Sequence, residues 1–374
     1  MKTKKSDILT CILFCGFLFA MFALYLLMPP ADFSALEKRE LAEAPAMNTD
    51  NLLSGQYGEE AETWLADHIP GRNFFVGLAS YYDLFTGRQY TKDVYPAGNN
   101  RLVEAPNPGN EAAVQRNMRA INRFAETLGR PVDLMIIPSA GYVLQNSVEG
   151  LHDSYRDDAL IADIYARAGE NVTCWDMLSV FKEEQSPEEL YYRTDHHWTS
   201  LGAYRAYSAY MEGKNRIYPE QSEFAVESYD GFRGSTYSRS GLWLIPPESV
   251  ELWKTDTVFT VTHGESDIAH NGLFYEERLS EPDMYTVYLD GNHSTVRIEN
   301  PQMAGKGKLL VIRDSYANCL GTFLAHSYET VVLVDLRYYK ESISTLLEAE
   351  EFTDVLVCYS LNNFLTDTNL LFLK

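Results

Sequence analysis

Basic residues are scarce in this chain. Across 374 residues, 31 Lys and Arg face 53 Asp and Glu, for a formal net charge of −22. A polyanion would be repelled by such a surface, so nucleic acid is excluded as a principal partner. Cysteine is also sparse. Of five, Cys11 and Cys15 lie in an apolar N-terminal run, and Cys174, Cys319 and Cys358 are far apart. That spacing excludes a zinc clip and a disulfide framework, and leaves open one pairing, Cys319 with Cys358. Internal repeats and low-complexity tracts are absent. Long apolar runs are absent too, with one exception at the N-terminus.

That exception is Ile8 to Met28, preceded by Lys2, Lys4 and Lys5. At about 1.5 Å per helical residue it is long enough for a hydrocarbon core of roughly 30 Å. The lysines predict a cytoplasmic N-terminus and an extracellular C-terminal body, a single-pass protein of the cell membrane. A cleaved signal peptide is the rival reading. It would carry a shorter apolar stretch and a small-residue cleavage site, where this run ends in Leu-Leu-Met-Pro-Pro.

What is present in abundance is aromatic: 25 Tyr and 18 Phe within a 45% hydrophobic composition. A packed core follows. We expect residues 1–30 as cytoplasmic lysines and transmembrane anchor, and 31–107 as a stalk with a helical and hairpin segment. Residues 108–374 are expected as an α/β domain. Asn51 to Phe85 has helical periodicity broken at Pro70-Gly71, and "VYPAGNNRLVE" reads as two short strands around a turn. From about residue 108, strands such as "PVDLMIIP", "NVTCWD", "GKLLVIRD", "ETVVLVD" and "TDVLVCYS" alternate with helical segments. The alternation predicts a mostly parallel sheet flanked by helices. It lapses at about 213–305, where a β-rich insertion with strands of its own is expected.

Two segments place reactive side chains where such strands end. One is "YYRTDHHWTSLGAY", from Tyr191 to Tyr204; the other is "LLVIRDSY", from Leu309 to Tyr316. Ser315 follows an apolar strand and opens a helix, so backbone N–H groups there can stabilise an oxyanion. Its plain alternative is a helix N-cap. In an extended segment Asp195 and His197 share a side, so the carboxylate can orient the imidazole while the other ring nitrogen takes a proton from a serine. His196 then points the other way, as a structural histidine. A metal reading of Asp195-His196-His197 lacks further ligands at a recognisable spacing, and His152, His263, His270 and His293 are scattered in loops. We therefore expect no metal and no cofactor. Thr199 is a plausible N-cap of the helix that follows.

These residues also resemble a known family. "RTDHHWTSLGAY" is similar to the signature of the DHHW family, itself similar to the SGNH-hydrolase-like domain of periplasmic alginate O-acetyltransferases. Asp195, His197 and Trp198 match its Asp-x-His-Trp element, and Asp314-Ser315 matches its later serine turn. "FSALEKRELAEAP", "WLADHIPGRNFF" and "GSTYSRSGLW" carry further likeness. The resemblance implies a permuted SGNH-hydrolase-like, flavodoxin-like sheet, with the triad Asp195, His197 and Ser315. It further implies a polysaccharide or oligosaccharide acceptor, and an acetyl donor supplied by a membrane-bound O-acyltransferase. The sequence departs from the pattern in carrying Arg-Asp-Ser in place of Gly-Asp-Ser, and it shows no clear Gly or Asn block for an oxyanion hole. Asn318 is then a candidate oxyanion donor or a surface amide. Tyr316 is a pocket wall or core, Arg313 a substrate contact or a surface ion pair, and Trp198 packing at the turn. With water as acceptor the same triad makes an acetylesterase; without turnover the fold is a glycan-binding or assembly protein.

Overall fold

The computed structural model describes residues 5–148, 150–264, 266 and 268–373. They form two compact units, Met1–Arg88 with Ser238–Trp243, and Gln89–Tyr237 with Leu244–Lys374.

The first unit begins with α1 (Lys5–Leu27), the one helix among the described residues long and apolar enough to cross a membrane. Lys2 and Lys4, its basic flank by sequence, lie outside the described residues. Helices Thr49–Ser54 and Gln56–Asp67 follow, and α2 (Arg72–Phe85) starts after the break at Pro70-Gly71. The buried Asp67 carboxylate accepts from Arg39 Nη1 and Nη2 at 2.9 and 2.6 Å and from the Ala42 N–H at 3.0 Å. The Arg39 bonds hold its pKa down at about 2.

The second unit is built on an eight-stranded sheet. Its helices include α3 (Glu111–Leu128), α4 (Asp157–Tyr165), α5 (Ser200–Gly213), α6 (Tyr316–Leu324) and α7 (Ile343–Ala349). Its strands are β1 (Val132–Ile137), β2 (Val172–Trp175), β3 (Thr260–His263), β4 (His270–Asn271), β5 (Thr295–Glu299), β6 (Lys308–Arg313), β7 (Thr330–Val334) and β8 (Asp354–Ser360). In space the order is β4-β3-β5-β7-β6-β8-β1-β2. The strands from β7 to β2 pair in parallel. Those from β4 to β7 pair antiparallel.

Burial on both faces explains the continuous apolar runs of the parallel strands. Met135, Ile137, Leu309, Val311, Leu333 and Leu356 face one core, packed by Tyr204, Tyr207 and Tyr210 of α5 and by Leu320 and Phe323 of α6. Leu134, Ile136, Leu310, Ile312, Val332 and Val355 face the other, packed by Met118 and Ile121 of α3 and Ile161 and Ile164 of α4.

The insertion departs from expectation. Its first part has a two-stranded sheet of its own, Ala225–Phe232 with Glu248–Lys254. The later part does not stand apart, because β3, β4 and β5 extend the main sheet. The reason lies in β5, where Val296 and Ile298 are buried while Thr295, Arg297 and Glu299 are not. A strand with one apolar face must join a covered sheet to bury it. Met284–Val287, inside the expected β-rich insertion, is a short 3-10 turn and not a strand. Cys319 and Cys358 are free, buried thiols. Burial pushes the Cys319 thiol up to about 12, so the thiolate needed for exchange chemistry is suppressed.

Candidate active site

The chain passes from β6 to β7 on one side and reaches β8 on the other. The C-terminal end of β6 is thus a switch point, where open parallel sheets open a crevice. Ser315 sits there, as the N-cap of α6. Its hydroxyl makes no capping hydrogen bond, so the N-cap reading does not account for it. Instead Oγ lies 2.8 Å from His197 Nε2.

His197 is delivered by a loop rather than by the extended segment expected. An isolated antiparallel bridge joins Tyr191 to Trp198, the Tyr192 N–H donates to the His197 carbonyl at 3.2 Å, and the Thr199 N–H to Leu190 at 2.9 Å. Thr199 caps α5 by accepting from the Gly202 N–H. Buried Arg101, on the strand Arg101–Glu104, clamps the loop from behind by donating to the carbonyls of Glu188, Tyr191 and Tyr192. Asp195 Oδ1 accepts from both the His197 N–H at 2.9 Å and His197 Nδ1 at 2.6 Å. An Asx-type turn therefore does what strand alternation was expected to do.

The other carboxylate oxygen belongs to a residue without a role in the sequence reading. Ser235 donates to Asp195 Oδ2 through its N–H at 2.6 Å and its Oγ at 2.9 Å. The hydroxyl has one proton, so His196 Nδ1, 2.6 Å away, donates to it. His196 does not point away from the pair. Its ring lies 3.9 Å from that of His197, and its side chain is 28% exposed. Tyr285 stacks on the opposite face of His197 at 3.9 Å and 9°. Burial first, then the neighbouring His196, lower the His197 pKa, while Asp195 opposes them. The net result keeps the imidazole neutral at neutral pH, with its Nε2 lone pair facing Ser315.

The remaining predicted residues support the turn. Trp198 is fully buried and donates from Nε1 to the Tyr316 carbonyl at 3.0 Å. Tyr316 is buried and donates its hydroxyl to the His196 carbonyl. Arg313 is wholly buried, so it is neither a surface ion pair nor open to a substrate. Its Nη1 donates to Asn292 Oδ1 at 2.8 Å and lies 3.6 Å from Asp335 Oδ2. Asn318 is likewise buried, not a surface amide, and its Nδ2 also donates to Asn292 Oδ1, at 3.1 Å. Both side chains hold an exposed loop residue in place; burial that excludes solvent excludes a bound sugar equally.

Asp195, His196 and His197 do each offer a ligand atom within 4.8 Å of the others. Both Asp195 oxygens already accept hydrogen bonds, and His197 Nε2 faces a hydroxyl. The arrangement suits proton transfer from a serine, with the orienting carboxylate, the base and the alcohol in hydrogen-bonded series.

The model of the DHHW protein family matches residues 110–334. The chain belongs to the DHHW family. It is 28% identical over 173 residues to the "Probable alginate O-acetylase AlgJ" of Pseudomonas putida, covering 44% of this chain and 45% of that protein. The chain thus spans less than half of that curated relative. Among solved structures, a DHHW family protein from Eubacterium siraeum superposes with a TM-score of 0.65 at 24% identity, covering 75% of this chain and 95% of that one. PatB1 of Bacillus cereus superposes with a TM-score of 0.61 at 20% identity, covering 73% and 97%. Those two likenesses speak for a shared mixed α/β fold with a large central sheet.

Proposed function

We propose that this DHHW protein is an extracytoplasmic O-acetyltransferase that acts on a cell-surface or secreted polysaccharide through an acyl-enzyme on Ser315. The observation that carries the reading is the series Asp195 Oδ1–His197 Nδ1 at 2.6 Å and His197 Nε2–Ser315 Oγ at 2.8 Å. The relative named as an alginate O-acetylase supports the choice of acetyl group and polysaccharide. The order Asp and His before Ser accords with a permuted SGNH-like domain at 108–374, carried behind a stalk at 31–107. α1 supports a single-pass anchor with its lysines inside.

In the first half-reaction, Ser315 Oγ attacks the acetyl carbonyl and its proton passes to His197 Nε2. The N–H groups of Tyr316, Ala317 and Asn318 already donate to Asp314 and Ser315 within the turn, so the developing oxyanion meets the Ser315 N–H at the positive end of α6. Collapse returns the proton to the leaving group and leaves acetyl-Ser315. In the second, a sugar hydroxyl loses its proton to His197, attacks the acetyl carbon, and Ser315 leaves with that proton. The donor is an acetyl group handed across the membrane by a membrane-bound O-acyltransferase. Asp195 keeps the imidazole in the tautomer both halves need.

The test is labelling of the full-length protein with an acetyl ester. We expect an acetyl adduct on Ser315, transfer to an oligosaccharide in excess over hydrolysis, and neither in Ser315→Ala. Hydrolysis without transfer would make the protein an acetylesterase. Absence of both adduct and acetate release would leave a glycan-binding or assembly protein.

A further inference from the structure

The fold gathers histidines that are scattered in sequence. His263 ends β3, and its register partner on β5 is Val296. That pairing brings His263 beside the turn leading into β5, which carries Asp290 and His293. The two imidazole rings stack at 4.0 Å and 17°. One ligand atom each from His263, Asp290 and His293 lies within 4.8 Å of the others. Arg278 Nε holds Asp290 Oδ1 at 2.6 Å, which orients Oδ2 toward His293 Nε2 at 3.2 Å. His263 Nε2 donates to the Leu289 carbonyl at 3.1 Å and His293 Nε2 to the Asp290 carbonyl at 3.1 Å, so an ion takes its lone pair from Nδ1 or displaces these protons on binding. All three side chains are half-buried, so an ion can reach them.

Leu289 and Asp290 are both left-handed, with φ of 55° and 62°. Two consecutive non-glycine residues rarely adopt this conformation, and such strain collects at ligand clamps. The turn it shapes presents Asn292, whose Oδ1 accepts from Arg313 and Asn318, the residues that flank Ser315 on β6 and α6.

We propose that His263, Asp290 and His293 bind a divalent transition ion of the zinc class, which fixes the turn carrying Asn292. Two imidazoles and one carboxylate suit zinc, cobalt or nickel, and do not suit calcium or magnesium, which take oxygen ligands. With metal–nitrogen bonds of about 2.0–2.1 Å, ligand atoms must close to roughly 3.5 Å, a movement of about an ångström that half-exposed His293 can make by side-chain rotation. Water completes the coordination. The site is separate from Asp195, His197 and Ser315, and its role is to position the turn.

The experiment is calorimetric titration of the chelator-treated full-length protein with Zn²⁺ alone, followed by Co²⁺ absorption spectroscopy. We expect one equivalent bound, and a Co²⁺ spectrum showing nitrogen ligation. Affinity should fall by at least about 10–100-fold in His263→Ala and in His293→Ala, the loss seen even for outer partners of metal ligands. His196→Ala should leave the affinity unchanged. Half-exposed His293 tolerates truncation, so that variant stays informative if His263→Ala misfolds. Absence of stoichiometric binding overturns the proposal, as does binding unaffected by His293→Ala or abolished by His196→Ala. None of these readouts depends on acyl transfer, so the outcome stands apart from the fate of Ser315.

Discussion

Gly234 has no room for a side chain. A Cβ there would lie 2.2 Å from Asp195 Cβ, 2.4 Å from its Oδ2 and 2.6 Å from its Cα. Backbone and carboxylate would both have to move, and the series through His197 to Ser315 would move with them. Gly234→Ala should therefore lower kcat by about 100-fold, the effect of an ångström-scale misplacement, with a stability loss of about 1–3 kcal/mol. Steady-state acetyl transfer and thermal unfolding on the same preparation check it; unchanged kcat would show that the loop absorbs the methyl. His197 provides the second test at this scale. Its lowered pKa means that the free base, which must accept the serine proton, persists below the ordinary histidine value of 6.5. The rate should be flat at neutral pH and fall on acidification through an apparent pKa under 6.5. An acid limb centred above 6.5 would contradict a buried, neutral imidazole. The Asp195–His197 pairing was legible from the two-residue spacing, although a local turn and not the expected extended segment makes it, and Ser315 stood out by its place at a strand-to-helix turn while a plain N-cap stayed open. Ser235, Gly234 and Asn292 were not legible. They reach the site through loop contacts tens of residues away, and nothing in Gly, Ser or Asn by itself marks such a contact.

At the scale of elements, the strand ends around Ser315 are tied by one carboxylate. Asp314 Oδ1 accepts from the Tyr316 N–H at 3.0 Å. Its Oδ2 accepts from the Ser360 N–H, the Ser360 hydroxyl and Asn363 Nδ2, each at 2.8 Å. Asp314 is 2% exposed and joins the end of β6 to the end of β8 and the turn after it. Asp314→Ala leaves these donors buried and unpaired, at a cost of about 3 kcal/mol. We expect thermal unfolding to drop by several degrees, with Asp314→Asn intermediate because the amide oxygen still accepts. An unshifted midpoint in Asp314→Ala would show that water replaces the carboxylate. The sequence displayed this aspartate only as the partner of Ser315. Its role in closing the sheet depends on β8, 40 residues onward, lying beside β6, and adjacency of parallel strands is not written in either strand. The same holds for β3, β4 and β5. The sequence announced a β-rich insertion but placed His263 and His270 in loops, where the structure puts them in β3 and β4, and only the pairing partner could say which sheet these strands joined.

Across the whole molecule, buried histidines couple stability to pH. His326 is 5% exposed, with the rings of Phe224 and Phe259 at 5.3 and 4.8 Å. Burial brings its pKa down to about 4, and His263 also falls to about 4, with His197 displaced in the same direction. In the unfolded chain each takes up a proton near the ordinary value of 6.5. Between those limits the unfolded state binds more protons, so stability rises with pH. It is fully present above about 6.5 and is lost as the pH falls toward 4. The buried carboxyls Asp157 and Glu248 are raised by burial and work in the opposite sense, so the histidine contribution is isolated by comparison with a variant lacking the imidazole. From its two pKa values, His326 alone accounts for about 2 kcal/mol between pH 7.5 and pH 5. His326→Leu removes the titrating group while keeping an apolar side chain among Phe224 and Phe259. The wild-type unfolding temperature should fall by several degrees over this interval, and the variant should fall by less, with the gap closing the cycle on His326. Equal losses in both proteins would mean that the imidazole takes its proton without leaving the fold, so that the aromatic shell around it opens readily to water.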